Sequence, residues 1–92
     1  MIRSFACAQT EALFKLRRVK RFVNFERPAL RKLEQLELAA RLDDMKAPPG
    51  NRLERLSGDR EGQWSVRIND QFRLCFRWVD DGAEDVEIVD YH

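Results

Sequence analysis

At 92 residues the chain holds one small domain, because independently folding units start at roughly 50 residues and a second core has no room. Apolar residues make up 43% and charged residues 36%, with no apolar run near the ~20 residues of a bilayer span, so a membrane protein is excluded and a disordered chain is disfavoured. The formal net charge of +1, taken alone, argues against a polyanionic partner.

Ile2 to Phe5 alternates apolar and polar residues and predicts a short first strand. Thr10 to Leu16 fits a short helix capped near Gln9 or Thr10. A longer helix is expected to open with Pro28 at its first position and to run to about Asp44, with Ala29, Leu33, Leu36 and Ala40 on one face and Leu30 flanking it. Pro48-Pro49-Gly50-Asn51 stops that pattern. Leu53 and Leu56 then lead into the turn-rich Ser57-Gly58-Asp59-Arg60-Glu61-Gly62. Beyond it the period changes to two: Trp64, Val66 and Ile68; then Phe72, Leu74, Phe76 and Trp78; then, after Asp80-Asp81-Gly82, Val86 and Ile88. Three antiparallel strands in a meander, covered on their apolar face by the helices, give an α+β domain spanning residues 1–92.

The small net charge conceals an asymmetry. All 17 basic residues, 13 of them Arg, lie in residues 1–79 beside ten acids, whereas residues 80–92 hold six acids and no Lys or Arg. Eight basic residues fall between Lys15 and Lys32 against the single acid Glu26. A solvated helix face accounts for any one of them, but the group keeps a polyanionic partner open. Cys7 and Cys75 match no metal-ligand spacing, no metal or cofactor motif occurs, and both thiols are expected to be reduced. No export signal opens the chain, so a cytoplasmic location is expected.

If Ile68 and Phe72 both face the core, the first hairpin closes around Asn69-Asp70-Gln71 and Arg67 stands opposite Arg73. Two like charges so placed need a nearby acid or a visiting anion. For the second hairpin two registers remain open. One pairs Arg73 with Val89 and Arg77 with Asp85, leaving Tyr91 diagonal to Arg73 at roughly 7–8 Å; the other pairs Arg73 with Glu87.

Asp90, Tyr91 and His92 therefore end the last strand beside arginines. His92, the only histidine, has an ordinary pKa near 6.5 and suits proton transfer at neutral pH, although a final residue commonly frays. A metal-free cleavage of RNA by its own 2′-hydroxyl needs a base, positive charge on the phosphorane and an acid for the leaving 5′-oxygen. Arg73 and Arg67 supply charge, His92 proton transfer, and Tyr91 a surface on which a base stacks.

Leu56 to Asn69, Phe72-Arg73-Leu74-Cys75-Phe76 and Val86 to His92 resemble the HigB branch of the RelE/ParE toxin superfamily. Met1-Ile2-Arg3-Ser4-Phe5 and Thr10-Glu11-Ala12-Leu13-Phe14 look like the start of such toxins, including the GraT-like subgroup. The resemblance implies a compact microbial-RNase fold and a ribosome-dependent mRNA endonuclease that works without a metal. It implies an antitoxin as partner, with a helix-turn-helix domain that represses the shared operon. Carried over, Arg73 matches the arginine on the scissile phosphate, and Asp90, Tyr91 and His92 match the active-site end, with Arg67 a weaker match. Arg52, Arg55 and Arg60 are candidate RNA contacts, and for Arg60 a turn-stabilising bridge to Asp59 or Glu61 is an equal reading. Where relatives often carry His or Lys before the Gly58 turn, this chain has Glu54 and Ser57, which predicts an attenuated nuclease.

Two rivals stand beside this reading. A ParE-like gyrase inhibitor shares the fold and needs no catalytic His, and a non-catalytic RNA- or protein-binding module would use the Arg67/Arg73 face only to hold phosphates. An antitoxin seated on the basic segment 15–32 would leave the arginine face uncovered.

Overall fold

In the computed structural model, which describes residues 1–91, four antiparallel strands in the order β1-β2-β3-β4 are covered on one face by two helices. The helices are α1 (Ala8–Phe14) and α2 (Glu26–Leu38); the strands are β1 (Glu54–Arg55), β2 (Trp64–Arg67), β3 (Phe72–Val79) and β4 (Gly82–Asp90). The expected α+β meander is present, with one strand more than the alternation predicts. Two-residue β1 is too short to show a period; it exists because Glu54 and Arg55 pair with Ser65 and Trp64.

Both helices depart from their expected bounds. α1 starts two residues early, and Thr10 is no cap: it is fully buried, and its Oγ1 accepts the Ile88 N–H at 3.0 Å. α2 is continuous with a 3₁₀ turn at Lys20–Phe25, so Pro28 is its third residue, still among the first four positions whose N–H lacks an intrahelical partner. α2 ends at Leu38 rather than near Asp44. The Asp44 carboxylate accepts the N–H groups of Ala40 (2.8 Å) and Arg41 (3.1 Å), which a longer helix would have given to its own carbonyls. Ala40 is consequently exposed, while Ala29, Leu33 and Leu36 are fully buried against Val66, Leu74, Phe76, Val86 and Ile88.

Residues 2–5 form no continuous strand. Ile2 and Phe5 make isolated parallel bridges to Ala83 and Val86 on β4. Together with Thr10 they cover the outer edge of β4, which otherwise presents unpaired backbone groups to another chain. Arg3 donates to the Val79 carbonyl at 2.7 Å and to the Asp80 carbonyl, fastening the β3–β4 turn, where Asp80 and Asp81 both take positive φ.

The first hairpin has the expected register, with Arg67 opposite Arg73. The second pairs Arg73 with Val89, but a bulge between Cys75 and Arg77 places Glu84, not Asp85, opposite Arg77. Asp85 is the bulged residue, at φ 53°, and its carboxylate still reaches Arg77 Nε at 3.5 Å.

Asn51 fastens the segment between α2 and β1. It is fully buried, and its amide donates to Gln35 Oε1 (3.0 Å), the Met45 carbonyl (3.1 Å) and the Ala47 carbonyl (3.2 Å), while its oxygen accepts from Lys32 Nζ. Asn51→Ala, which leaves the Met45 carbonyl without this donor and Lys32 without its acceptor, is expected to cost about 2 kcal/mol in denaturant unfolding. The two backbone N–H bonds hold the Asp44 carboxyl below its ordinary pKa. A depressed carboxyl stabilises the fold above its unfolded-state pKa and loses that contribution as pH falls through the folded value. Asp44→Ala should therefore lower the urea midpoint at pH 7, with the gap to wild type closing as pH falls through the lowered titration of this carboxyl; a gap independent of pH contradicts the assignment.

Candidate active site

Alternation along β2, β3 and β4 puts Ser65, Arg67, Arg73, Cys75, Arg77, Glu87 and Val89 on the sheet face away from the helices. At its centre Arg73 is held rigidly, its side chain only 11% exposed. Nε donates to Ser65 Oγ at 2.8 Å, and Nη2 donates to the Arg52 carbonyl at 2.7 Å and more weakly to the Ser65 carbonyl at 3.4 Å. The Glu54 carboxylate lies 4.0 Å from Nη2. Nη1 makes no hydrogen bond among the described residues, so one edge of the fork stays available to an oxyanion.

The like-charge pairing of Arg67 with Arg73 is relieved within the fold. Arg67 turns to Asp70 in the adjoining turn, while Arg73 is engaged by neutral acceptors on the other side. Asp70 is 98% exposed, so its pairing with Arg67 is weak, and a phosphate can take its place.

Arg60 reaches this face from its turn. Its partners are Gln63 Oε1 at 3.0 Å and Glu87 Oε1 at 3.4 Å, so the acid comes from β4 and not from Asp59 or Glu61. Beneath Arg60, Arg73 and Glu87 lies Cys75, fully buried, whose pKa is pushed up to about 11 by burial, against the favourable pull of the two arginines. Its thiol stays protonated and is no nucleophile at neutral pH. Neither cysteine is in a disulfide.

The remaining predicted residues divide. Tyr91 is 41% exposed and lies diagonal to Arg73 in the observed register, its N–H bonded to the Gln71 carbonyl at 2.7 Å. Asp90 pairs with core-facing Phe72, and its carboxylate accepts from Gln71 Nε2 at 3.1 Å; alternation thus separates it from Tyr91. Arg52 takes φ 46° and contributes its backbone carbonyl rather than its guanidinium. Arg55 pairs with Trp64 and lies over that ring, 5.8 Å from its centroid, on the helix side of the sheet. His92 lies outside the described residues.

Two contributors escape the sequence reading. Ser65 is diagonal to Arg73 in the predicted register, so the signal was present: a small hydroxyl on a face of long cations. Asn51, which fixes the segment leading to the Arg52 carbonyl, sits inside what reads only as a helix stop.

The toxin HigB-1 of Vibrio cholerae is 47% identical over 57 residues, 62% of this chain and 60% of that protein. The endoribonuclease HigB of Proteus vulgaris is 37% identical over 41 residues, 45% of each. The matched segments thus span between under half and three fifths of these relatives. Among solved structures, a chain of a YoeB–YefM complex from Staphylococcus aureus superposes with a TM-score of 0.58 at 19% identity, covering 100% of this chain and 98% of that one. A YoeB/ParE toxin from Agrobacterium tumefaciens gives 0.56 at 18%, covering 99% and 100%. Residues 11–92 match the family of RelE-like toxins of the type II toxin–antitoxin system HigB, and the chain belongs to that HigB-like toxin family.

Proposed function

We propose that the protein is the toxin of a type II toxin–antitoxin pair and acts as a ribosome-dependent mRNA endonuclease, neutralised by a helix-turn-helix antitoxin encoded in the same operon. The observation that carries this reading is Arg73: a nearly buried guanidinium, fixed by Ser65 Oγ and the Arg52 carbonyl, with one edge open on a face that also presents Arg67 and Tyr91. A rigid cation beside a replaceable one suits the trigonal-bipyramidal phosphorane formed when a 2′-hydroxyl attacks the adjacent phosphate. Family membership and the endoribonuclease name of the Proteus relative support the same assignment. No helix among the described residues is long and apolar enough to cross a membrane.

In this mechanism the 2′-oxygen forms a bond to phosphorus as the 5′-oxygen leaves, giving a 2′,3′-cyclic phosphate and a 5′-hydroxyl. Arg73 and Arg67 stabilise the phosphorane but cannot move protons. His92 serves as the proton-transfer group, Tyr91 stacks on or orients the nucleotide, and Asp90 steadies the strand end through Gln71. The ribosome supplies the hold on substrate that a small open face lacks. Glu54 makes the enzyme slower than relatives with a cation there, because its carboxylate repels an incoming phosphate and competes for Arg73.

Purified protein added to translating ribosomes tests this. Arg73→Ala is expected to reduce message cleavage at least 100-fold and His92→Ala similarly, while Ser65→Ala, which frees the guanidinium without removing it, costs about tenfold. Cleavage surviving both Arg73→Ala and His92→Ala refutes the site, and loss of DNA supercoiling before loss of translation on induction favours the gyrase-inhibitor reading. Glu54→Gln should raise the cleavage rate a few-fold, in keeping with an exposed charge worth up to about 1 kcal/mol; a fall would instead assign Glu54 a part in proton transfer.

A further inference from the structure

Arg52 is exposed and its guanidinium makes no hydrogen bond or salt bridge among the described residues, yet its backbone sits at φ 46° and ψ 59°. That left-handed conformation strains an arginine and favours glycine. A strained residue persists only where its surroundings over-determine it. Here they do: Arg52 N–H bonds to the Pro49 carbonyl at 3.2 Å, and the preceding Asn51 is fully buried and clasped by Lys32 and Gln35 of α2. What the strained turn achieves is the aim of one carbonyl, which accepts from Arg73 Nη2 at 2.7 Å.

A second acceptor competes for the same nitrogen. The Glu54 carboxylate, two residues further along the chain, stands 4.0 Å from Nη2. A charge-assisted bond from guanidinium to carboxylate is roughly twice as strong as one between neutral partners, and closing this one takes a shift of only about 1 Å. With the Arg52 carbonyl turned away, Glu54 is the nearest oxygen able to claim the released edge of the fork. An arginine so bridged still carries its charge, but the carboxylate beside it cancels most of the field felt by an incoming phosphate.

We infer that the Lys32–Asn51–Arg52 relay is a latch that holds Arg73 off Glu54. Arg52 is a positioning residue that acts through its backbone carbonyl, and α2, through Lys32 and Gln35, sets whether the sheet face can stabilise a phosphorane. Latched, Arg73 is open to phosphate; released, it is inhibited by the chain's own carboxylate. The inference rests on the cleavage reading above.

The test compares Arg52→Gly with Arg52→Val. Both remove the guanidinium, so any RNA contact it makes is lost equally; glycine keeps the left-handed turn, whereas a β-branched residue resists it. On translating ribosomes Arg52→Val is expected to show a kcat at least tenfold below that of Arg52→Gly, with KM within twofold. Glu54→Gln should then raise kcat at least tenfold in the valine variant, against a few-fold in the glycine variant. Lys32→Met, on α2 and close to lysine in helix propensity, should lower kcat about threefold and respond to Glu54→Gln in the same enhanced way, which keeps the latch testable where the valine variant fails to fold. Nitrogen-15 spectra of the guanidiniums read the latch without RNA: an Arg73 signal that differs between the two Arg52 variants and responds to Glu54→Gln supports it. Equal kcat in folded Arg52→Gly and Arg52→Val, or the same few-fold gain from Glu54→Gln in every background, overturns the latch while leaving the proposed function intact. Absence of cleavage by the wild-type protein, with the spectral difference present, overturns the cleavage reading and with it the catalytic part of the inference.

Discussion

Two guanidiniums face each other across β2 and β3, and much of the molecule on that side of the sheet exists to tolerate the pairing. Arg67 and Arg73 are set opposite each other by a three-residue turn and by the need of Ile68 and Phe72 to face the core. The fold pulls them apart in kind: Arg67 is half-buried beside an exposed carboxylate, while Arg73 is sunk among neutral oxygens with the Glu54 carboxylate at its edge. A buried cation with incomplete neutralisation is costly to a fold and useful to a site that must stabilise a transient dianion. The acceptor at the Arg52 carbonyl depends in turn on a left-handed residue and on Asn51, buried and bonded to α2 and its following turn.

The same economy of charge runs through the rest of the sheet. The six acids of residues 80–92 look like an acidic tail, yet most of that segment is β4, and it brings Glu87 to Arg60 and Asp85 to Arg77. The near-zero net charge thus reflects internal pairing around a face that keeps selected arginines unneutralised. The helix layer shows the complementary pattern, with Arg21 resting on the Phe22 and Phe72 rings and Lys32 bonded to Asn51, while Arg17, Arg18 and Arg27 border an open trough.

Period-two alternation made β2, β3 and β4 legible, and with them the opposition of Arg67 and Arg73, because one buried face fixes register; the placement of Tyr91 stayed open between two registers two residues apart, which keep the same faces buried. What escaped the sequence was decided by single side chains competing with the backbone. Asp44 ends α2 early, Thr10 serves a strand edge instead of a helix cap, and Asp85 adopts a left-handed bulge that shifts the pairing of Arg77 by one residue. Arg55 looked equivalent to its basic neighbours until β1, too short to carry a period, turned it onto Trp64. Ser65 was visible in principle, since the same register that opposes the arginines places it diagonal to Arg73.

We propose that the Arg73 face promotes attack of a 2′-hydroxyl on its own phosphate. Mapping the chemistry of the ends released from message on translating ribosomes tests this most directly. Cuts within the translated region are expected to bear 5′-hydroxyl and 2′,3′-cyclic phosphate termini and to be absent when Arg73 is replaced by Ala. Cuts bearing 5′-phosphate ends, or cyclic-phosphate cuts that persist without Arg73, contradict it.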